Sequence, residues 1–192
     1  SFDRRDLDRD GFDLAVRYGP VSGAQGQRLF DEAVVPVCSP ALLRADVPAL
    51  RAAADLAGHT LLQVAQPHGQ AMPLEWDAWL QQPGSPPVQP QAMLTFSNYN
   101  EAIAAAVAGQ GVALGRRPLI DALLRKRQLV VPFGLATATE RAYFVLLAPA
   151  ARQRAAALAL LAWLGAQAAG TAGAAGEAGE PGEGEPARGV TA

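Results

Sequence analysis

The stretch from Met93 to Leu114 constrains this chain more than any other, because it reads as strand, capped helix, glycine stop and strand in unbroken order. Met93-Leu94-Thr95-Phe96 is an apolar extended run. Ser97-Asn98 then supplies cap side chains, and Glu101 follows Asn98 by three residues, the spacing of a capping box. The helix should run from about Tyr99 to Ala108, with Gly109 as its left-handed stop. Val112-Ala113-Leu114 resumes the extended pattern. The rest of the chain alternates in the same way, and strands separated by helices imply parallel sheets with helices on both faces.

The other expected elements follow from local signals. Asp13 to Tyr18 reads as a strand ended by the turn pair Gly19-Pro20. Leu29-Phe30 and Ala33 to Cys38 form an extended run in which Pro36 argues for an edge or a bulge. Ser39-Pro40 opens a short helix as N-cap and first-turn proline. His59 to Val64 is a strand, and the Pro-, Gln- and Gly-rich stretch from Gln66 to Pro90 is a loop holding a short helix near Glu75 to Leu80. Beyond Gly115 come a helix at Pro118 to Arg125 and strands at Gln128 to Phe133 and Ala142 to Leu147. A long helix follows from Pro149 to Ala168, with an apolar face of Leu158, Leu161 and Trp163-Leu164. From Ala169 the composition is Gly, Ala, Glu and Pro, which cannot offset its ordering entropy, so residues 169–192 read as a disordered tail.

Bulk properties exclude several function classes. The 192 residues are 50% apolar, enough for a core of one or two domains. A net charge of -2 carries no basic excess for nucleic-acid binding by this segment. The one cysteine, Cys38, allows no internal disulfide and fits a reducing compartment. No run of about 18 uninterrupted apolar residues suggests a membrane span. The polar start lacks both a signal-peptide core and an initiator methionine, which reads as a fragment or a late start.

Catalytic patterns are thin. His59 and His68 make no metal-like spacing with each other or with Cys38, so no metal is expected. His59 reads as structural and Cys38 as a buried, inert thiol. Gly109-Gln110-Gly111 with Gly115 follows a helix and precedes a strand, the reverse of a dinucleotide fingerprint, so no cofactor is expected either. Asp6, Asp8 and Asp10 alternate with Arg4, Arg5 and Arg9 as a solvated helix face would. Trp76 and Trp79 lie three apart on one helical face, for packing against a sheet or for stacking on a ligand.

Ligands in open α/β sheets bind beyond the carboxyl ends of strands. Two places fit: Arg17-Tyr18, and Ser97-Asn98-Tyr99 at a helix N-terminus that favours anions. The second cluster is either a cap alone or a cap that also touches ligand. Arg17 is either a counter-charge or a surface residue.

Several segments together resemble the effector domains of LysR-type transcriptional regulators, nearest the subgroup typified by the glycine-cleavage activator. These are Asp10-Gly11-Phe12-Asp13-Leu14-Ala15-Val16-Arg17-Tyr18-Gly19, then Leu29-Phe30-Asp31-Glu32 through Pro36-Val37-Cys38-Ser39-Pro40. Phe96-Ser97-Asn98-Tyr99, Ala104 to Arg116 and Trp163-Leu164 follow in the expected order. The resemblance implies an α/β, two-lobed fold like type II periplasmic binding proteins, truncated at its N-terminus. Lobe I would comprise residues 1–47 and 142–168, and lobe II residues 48–141. It implies a small-molecule effector in the interlobe cleft, lined by Arg17, Tyr18, Ser39, Ser97, Asn98 and Tyr99. It further implies a cytoplasmic, non-enzymatic protein, DNA binding only through an N-terminal domain not in this sequence, and homodimers or homotetramers of the longer protein. Without the family's opening strand-helix unit, the strand around Leu14 should have an unpaired edge with apolar surface nearby. A periplasmic solute-binding protein of a transporter shares the fold and stands as the alternative.

Overall fold

The computed structural model describes residues 7, 11–65, 76–81, 87–134 and 136–176, with side chains to residue 170. His68, the acidic and basic alternation before Gly11, and the end of the tail at residues 177–192 lie outside the described residues. Among the described residues six strands form one sheet: β1 (Leu14–Pro20), β2 (Gln27–Val37), β3 (Thr60–Val64), β4 (Ala92–Phe96), β5 (Val112–Arg117) and β6 (Thr137–Leu147). Their spatial order is β1-β6-β2-β5-β3-β4. The α-helices among the described residues are α1 (Trp76–Leu80), α2 (Tyr99–Val107), α3 (Asp121–Arg125) and α4 (Ala155–Gly176).

The expected parallel pairing holds for β3 with β4 and for β3 with β5. It fails for the other half, where β1–β6, β6–β2 and β2–β5 are all antiparallel. The difference comes from β2 and β6, each 11 residues long. β2 pairs with β6 over Gln27 to Val34 and with β5 over Ala33 to Val37, so one strand belongs to both halves of the sheet. Pro36 lies beyond Val34, where pairing with β6 has ended, so its absent N–H costs no bond on that flank.

Period-two alternation along the strands divides the core in two. Val34, Leu61, Val112 and Leu114 face Leu50, Leu56, Trp76, Trp79 and Phe133 on one side. Val35, Val37, Leu62 and Ala113 face Ile103, Ala105, Ala106, Ile120 and Leu129 on the other. Burying one such aliphatic side chain stabilises by about 1.5–3 kcal/mol. Trp76 and Trp79 pack edge to face with centroids 5.6 Å apart, which resolves their two readings in favour of packing. His59 is buried with Nε2 3.2 Å from the Ala49 carbonyl, and Cys38 is fully buried with its thiol pushed up to about 11 by burial.

Three expectations are corrected. Gln128 to Phe133 is not a strand; only Val130 bridges, to Cys38, before Pro132 ends the donors available for pairing. Helix α4 continues past Ala168 to Gly176, so the tail's first residues are helical, as a run dominated by alanine permits. The packed face of α4 is Ala157, Leu161, Leu164 and Ala168, whereas Leu158 and Trp163 are exposed. Leucine is spread around this helix, so periodicity could not single out a face, and small residues seat it against the sheet. The edge expectation agrees with the structure: β1 pairs only with β6 among the described residues, and Phe12 and Val16 are half exposed.

Gly111 marks where the second core is tightest. A Cβ there would stand 2.3 Å from the Thr60 carbonyl oxygen, which is fixed by the β3–β5 ladder. Gly111→Ala should therefore lower unfolding free energy by about 1–3 kcal/mol in urea titrations. Gly134→Ala, which meets nothing within 4 Å, should stay within about 0.5 kcal/mol of the parent.

Candidate functional site

Tyr18 on β1, Phe30 on β2 and Tyr143 on β6 share one face, because Tyr143 sits opposite both neighbours in register. The Tyr143 centroid is 5.0 Å from Tyr18 and 4.6 Å from Phe30. Two residues along β2, Glu32 reaches the same region and is 1% exposed. Its carboxylate accepts hydrogen bonds from the Tyr18 hydroxyl and from Arg116 Nε, and from Thr139 Oγ1 at 3.0 Å. Arg116 ends the buried run of β5, and its guanidinium lies 4.3 Å from the Tyr18 ring centroid and 5.9 Å from those of Tyr99 and Tyr143. The Arg116 backbone N–H donates to Tyr99 Oη at 2.8 Å, which ties the first turn of α2 to β5. Arg141 covers the Tyr18 ring as well, at 4.6 Å.

The charges follow from these contacts. Burial alone would lower the pKa of Arg116, but the Glu32 charge, Tyr143 and Tyr18 more than offset it and hold the guanidinium above its ordinary value. Burial is the first cause holding Tyr18 up, followed by its hydrogen bond to Glu32 and that carboxylate's charge. Tyr99 is pushed up to about 12 by burial, against the opposing Arg116 contacts, and burial raises Tyr143 as well. The cluster therefore holds neutral phenols around an ion pair.

The six residues expected at the site separate into groups. Tyr18 and Tyr99 meet at Arg116. Ser97 and Asn98 precede Tyr99 and are exposed; Asn98 Oδ1 accepts from Glu101 N at 3.0 Å, and Ser97 Oγ donates to Glu101 Oε2 at 3.1 Å. The Glu101 carboxylate thus holds Ser97, and the Asn98 side chain supplies the cap. Arg17 faces away from Tyr18, as alternation along β1 requires, and lines a hollow with Leu7, Gln27, Val145, Arg152 and Leu161. Ser39 caps the turn Pro40–Leu43 and lies near Gly109, at the opposite end of α2 from Asn98. Neither Arg17 nor Ser39 joins the cluster. Glu32, Arg116, Thr139, Arg141 and Tyr143 were missed, although a glutamate directly before Ala33-Val34-Val35 and an arginine directly after Val112 to Gly115 were visible signals.

Among the described residues no group of His, Cys, Asp and Glu could hold a metal ion, and no helix is long and apolar enough to cross a membrane. All three tyrosines of the chain belong to the cluster, and all three are raised. A phenol whose folded pKa is raised stabilises the fold below its unfolded value and loses that contribution as pH climbs toward the folded one. Absorbance at 295 nm should therefore show little tyrosinate in the folded protein at about pH 10, where the unfolded chain is half ionised. Stability should fall from about pH 10 upward. A folded-state midpoint near 10 would contradict the burial of these rings.

The model of the LysR substrate binding domain family matches residues 3–169. The chain is 32% identical over 138 residues to the glycine cleavage system transcriptional activator of Escherichia coli K12, covering 71% of this chain and 43% of that protein. It is 29% identical over 168 residues to the HTH-type transcriptional regulator DsdC of Escherichia coli K12, covering 86% of this chain and 53% of that one. The chain thus spans about half the length of these relatives. Among solved structures, the effector domain of the transcriptional regulator AmpR of Pseudomonas aeruginosa matches with a TM-score of 0.64 at 27% identity, covering 90% of this chain and 80% of that one. The AmpR effector binding domain from Citrobacter freundii matches at 0.65 and 25% identity, covering 88% and 80%. The mixed α/β fold with its curled sheet is that of the type II periplasmic-binding-protein-like effector domains, and the chain belongs to the LysR substrate-binding domain family.

Proposed function

We propose that this chain is the effector-sensing part of a LysR-type transcriptional regulator and that a small metabolite binds where β1, β2, β5, β6 and the start of α2 converge. The observation that carries this reading is the cluster itself, which joins Tyr18, Glu32, Tyr99, Arg116, Thr139 and Tyr143 from four adjacent strands and the start of α2. Residues 1–47 with 142–168 and residues 48–141 act as the two lobes, and β2 and β6 are the strands through which their relative position changes. Tyr18, Ser97, Asn98 and Tyr99 line the effector site; Arg17 and Ser39 act elsewhere. DNA contact belongs to an N-terminal domain of the longer protein, which works as a cytoplasmic homodimer or homotetramer without enzymatic activity. The matched relatives are named as transcriptional regulators, which supports this reading over a transporter's solute-binding protein.

An effector changes such a protein only through different affinities for its two arrangements. A ligand that favours one lobe arrangement shifts the quaternary equilibrium and so the grip on DNA. Thermal-shift screening of the longer regulator against metabolites should yield a compound that raises the midpoint, by up to about 2.7 kcal/mol of stability at 100 times its Kd. Ser97→Ala should weaken that compound about fivefold, the worth of one hydrogen bond near 1 kcal/mol. An unchanged affinity removes Ser97 from the site, and coding sequence upstream without a helix-turn-helix removes the regulator reading.

A further inference from the structure

Two shifts interrupt the ladder between β2 and β6, and the larger falls at Glu32. Asp31 stands opposite Ala142 and Ala33 opposite Ala138, so Glu32 alone faces Thr139, Glu140 and Arg141. The pairings on its two sides belong to different halves of the sheet. Before Glu32, β2 pairs with the part of β6 that also pairs with β1. After it, Ala33 to Val37 pair with β5, and Val34, Val35 and Val37 enter the two cores that contain β3 and β5. Unequal strand lengths of this kind leave backbone groups out of the ladder and bend the strand. The two halves can therefore change their angle at this break with the least loss of strand pairing. There is also room to do so. Helix α4 rides on the first half, with Gly165 against Gln27. A hollow of about 460 Å³ separates its Ala166, Gln167 and Gly170 from Pro118, Leu119 and Asp121 of the second half.

The side chains at the break are gripped from both directions. Tyr18, from the first half, donates to the Glu32 carboxylate. Arg116, from the second half, donates to it as well, and its guanidinium lies 4.3 Å from the Tyr18 ring centroid. The pairs Arg28–Asp31, Arg44–Asp46, Arg154–Asp13 and Arg117–Asp121 each join residues on one side of the break. Arg116–Glu32 is the pair that reaches the break from across it. Parting a buried pair exposes two charges that must be rehydrated together, which favours two discrete arrangements over a continuum. The backbone N–H of Arg116 is bound to Tyr99 Oη, so the first turn of α2 moves with it.

We infer that Glu32 and residues 139–141 form the hinge of this chain, and that Arg116 is the positioning residue that latches it through Glu32 and Tyr18. On β2 this refines the lobe bound from residue 47 to Glu32. The inference rests on the sensor reading only for what the hinge serves: an effector at the start of α2 acts on the latch through Tyr99. The hinge itself stands on the ladder and the contacts.

The test measures the angle between the halves in the complete chain by double electron–electron resonance. Nitroxide labels go on Ala159→Cys in α4 and Gln128→Cys after α3, both exposed, while Cys38 is fully buried. The parent should show one dominant distance, with any second arrangement below about 10%. Glu32→Gln keeps the side-chain shape and removes the charge, and it should raise the second distance relative to the first about tenfold or more. Arg116→Gln should do the same. Tyr18→Phe, which keeps the ring and removes the donor, should raise it about fivefold. Should the charge variants lose the parent's near-UV circular dichroism, Tyr18→Phe carries the test. Gly111→Ala, which strains the second half away from the break, should lower stability and leave the distances alone. The inference is overturned when the folded variants keep the parent's distances, or when Gly111→Ala moves them as much. Distances that shift in Glu32→Gln, with no metabolite altering transcription by the longer regulator, would uphold the hinge and sink the sensor reading. An effector that controls transcription while the distances never move would do the reverse.

Discussion

Glu32 and Arg116 are separated by 84 positions in sequence and meet as an ion pair with side-chain exposures of 0% and 11%. Taking two charges so far out of water costs several kcal/mol per ion, and mutual attraction repays it only when the remaining lone pairs and protons are also bound. The structure meets that condition for Glu32 through Tyr18 and Thr139. It meets it only in part for Arg116, whose Nη2 stays unbound. Strands β1, β5 and β6 each bring one partner to the carboxylate carried by β2. Removing Glu32 would leave Arg116 buried and uncompensated, the costly half of a broken pair.

The two 11-residue strands serve the cluster at more than one point. β6 carries Thr139 to Glu32 and, four residues later, Tyr143 to Tyr18, and β2 carries Phe30 and Glu32 past it and goes on to pair with β5. Register shifts in the β2–β6 ladder fall between Arg28 and Phe30 and between Asp31 and Ala33, the second at Glu32 itself. Such irregularities re-aim side chains and bend the strand. At the parallel end the demands differ. There Gly111 lets β5 approach the Thr60 carbonyl of β3, and Gly115 leaves room for Val37 and Ile120: a Cβ on Gly115 would come within 2.7 Å of Ile120 Cδ1.

The sequence disclosed what is encoded locally. The β4–α2–β5 unit was readable because Asn98, Gly109 and the two apolar runs act within a few residues of each other. Ser39 as a cap and His59 and Cys38 as buried structural residues were readable for the same reason. Strand direction in the other half was not, because it depends on β6 inserting between β1 and β2 from more than a hundred residues away. The site was legible only in Tyr18 and in the α2 cap with Tyr99. Its charged centre joins Thr139 to Glu32 across 107 positions, and no spacing rule reaches that far. Arg17 was placed with Tyr18 because they are neighbours in sequence, yet alternation along β1 sends their side chains to opposite faces.

A protein built only to fold would gain from silencing its surplus donors, either with more carboxylates or with apolar residues. This region does neither. It satisfies the carboxylate completely and leaves only N–H groups over, on an arginine that stacks against an aromatic ring and on a tryptophan whose ring is wedged into the core by Trp76 and Phe133. Both donors are thereby held in place by the packing around them. Trp79 belongs to the core on one side of β3 and β5, whereas Arg141 belongs to the strand paired with β1.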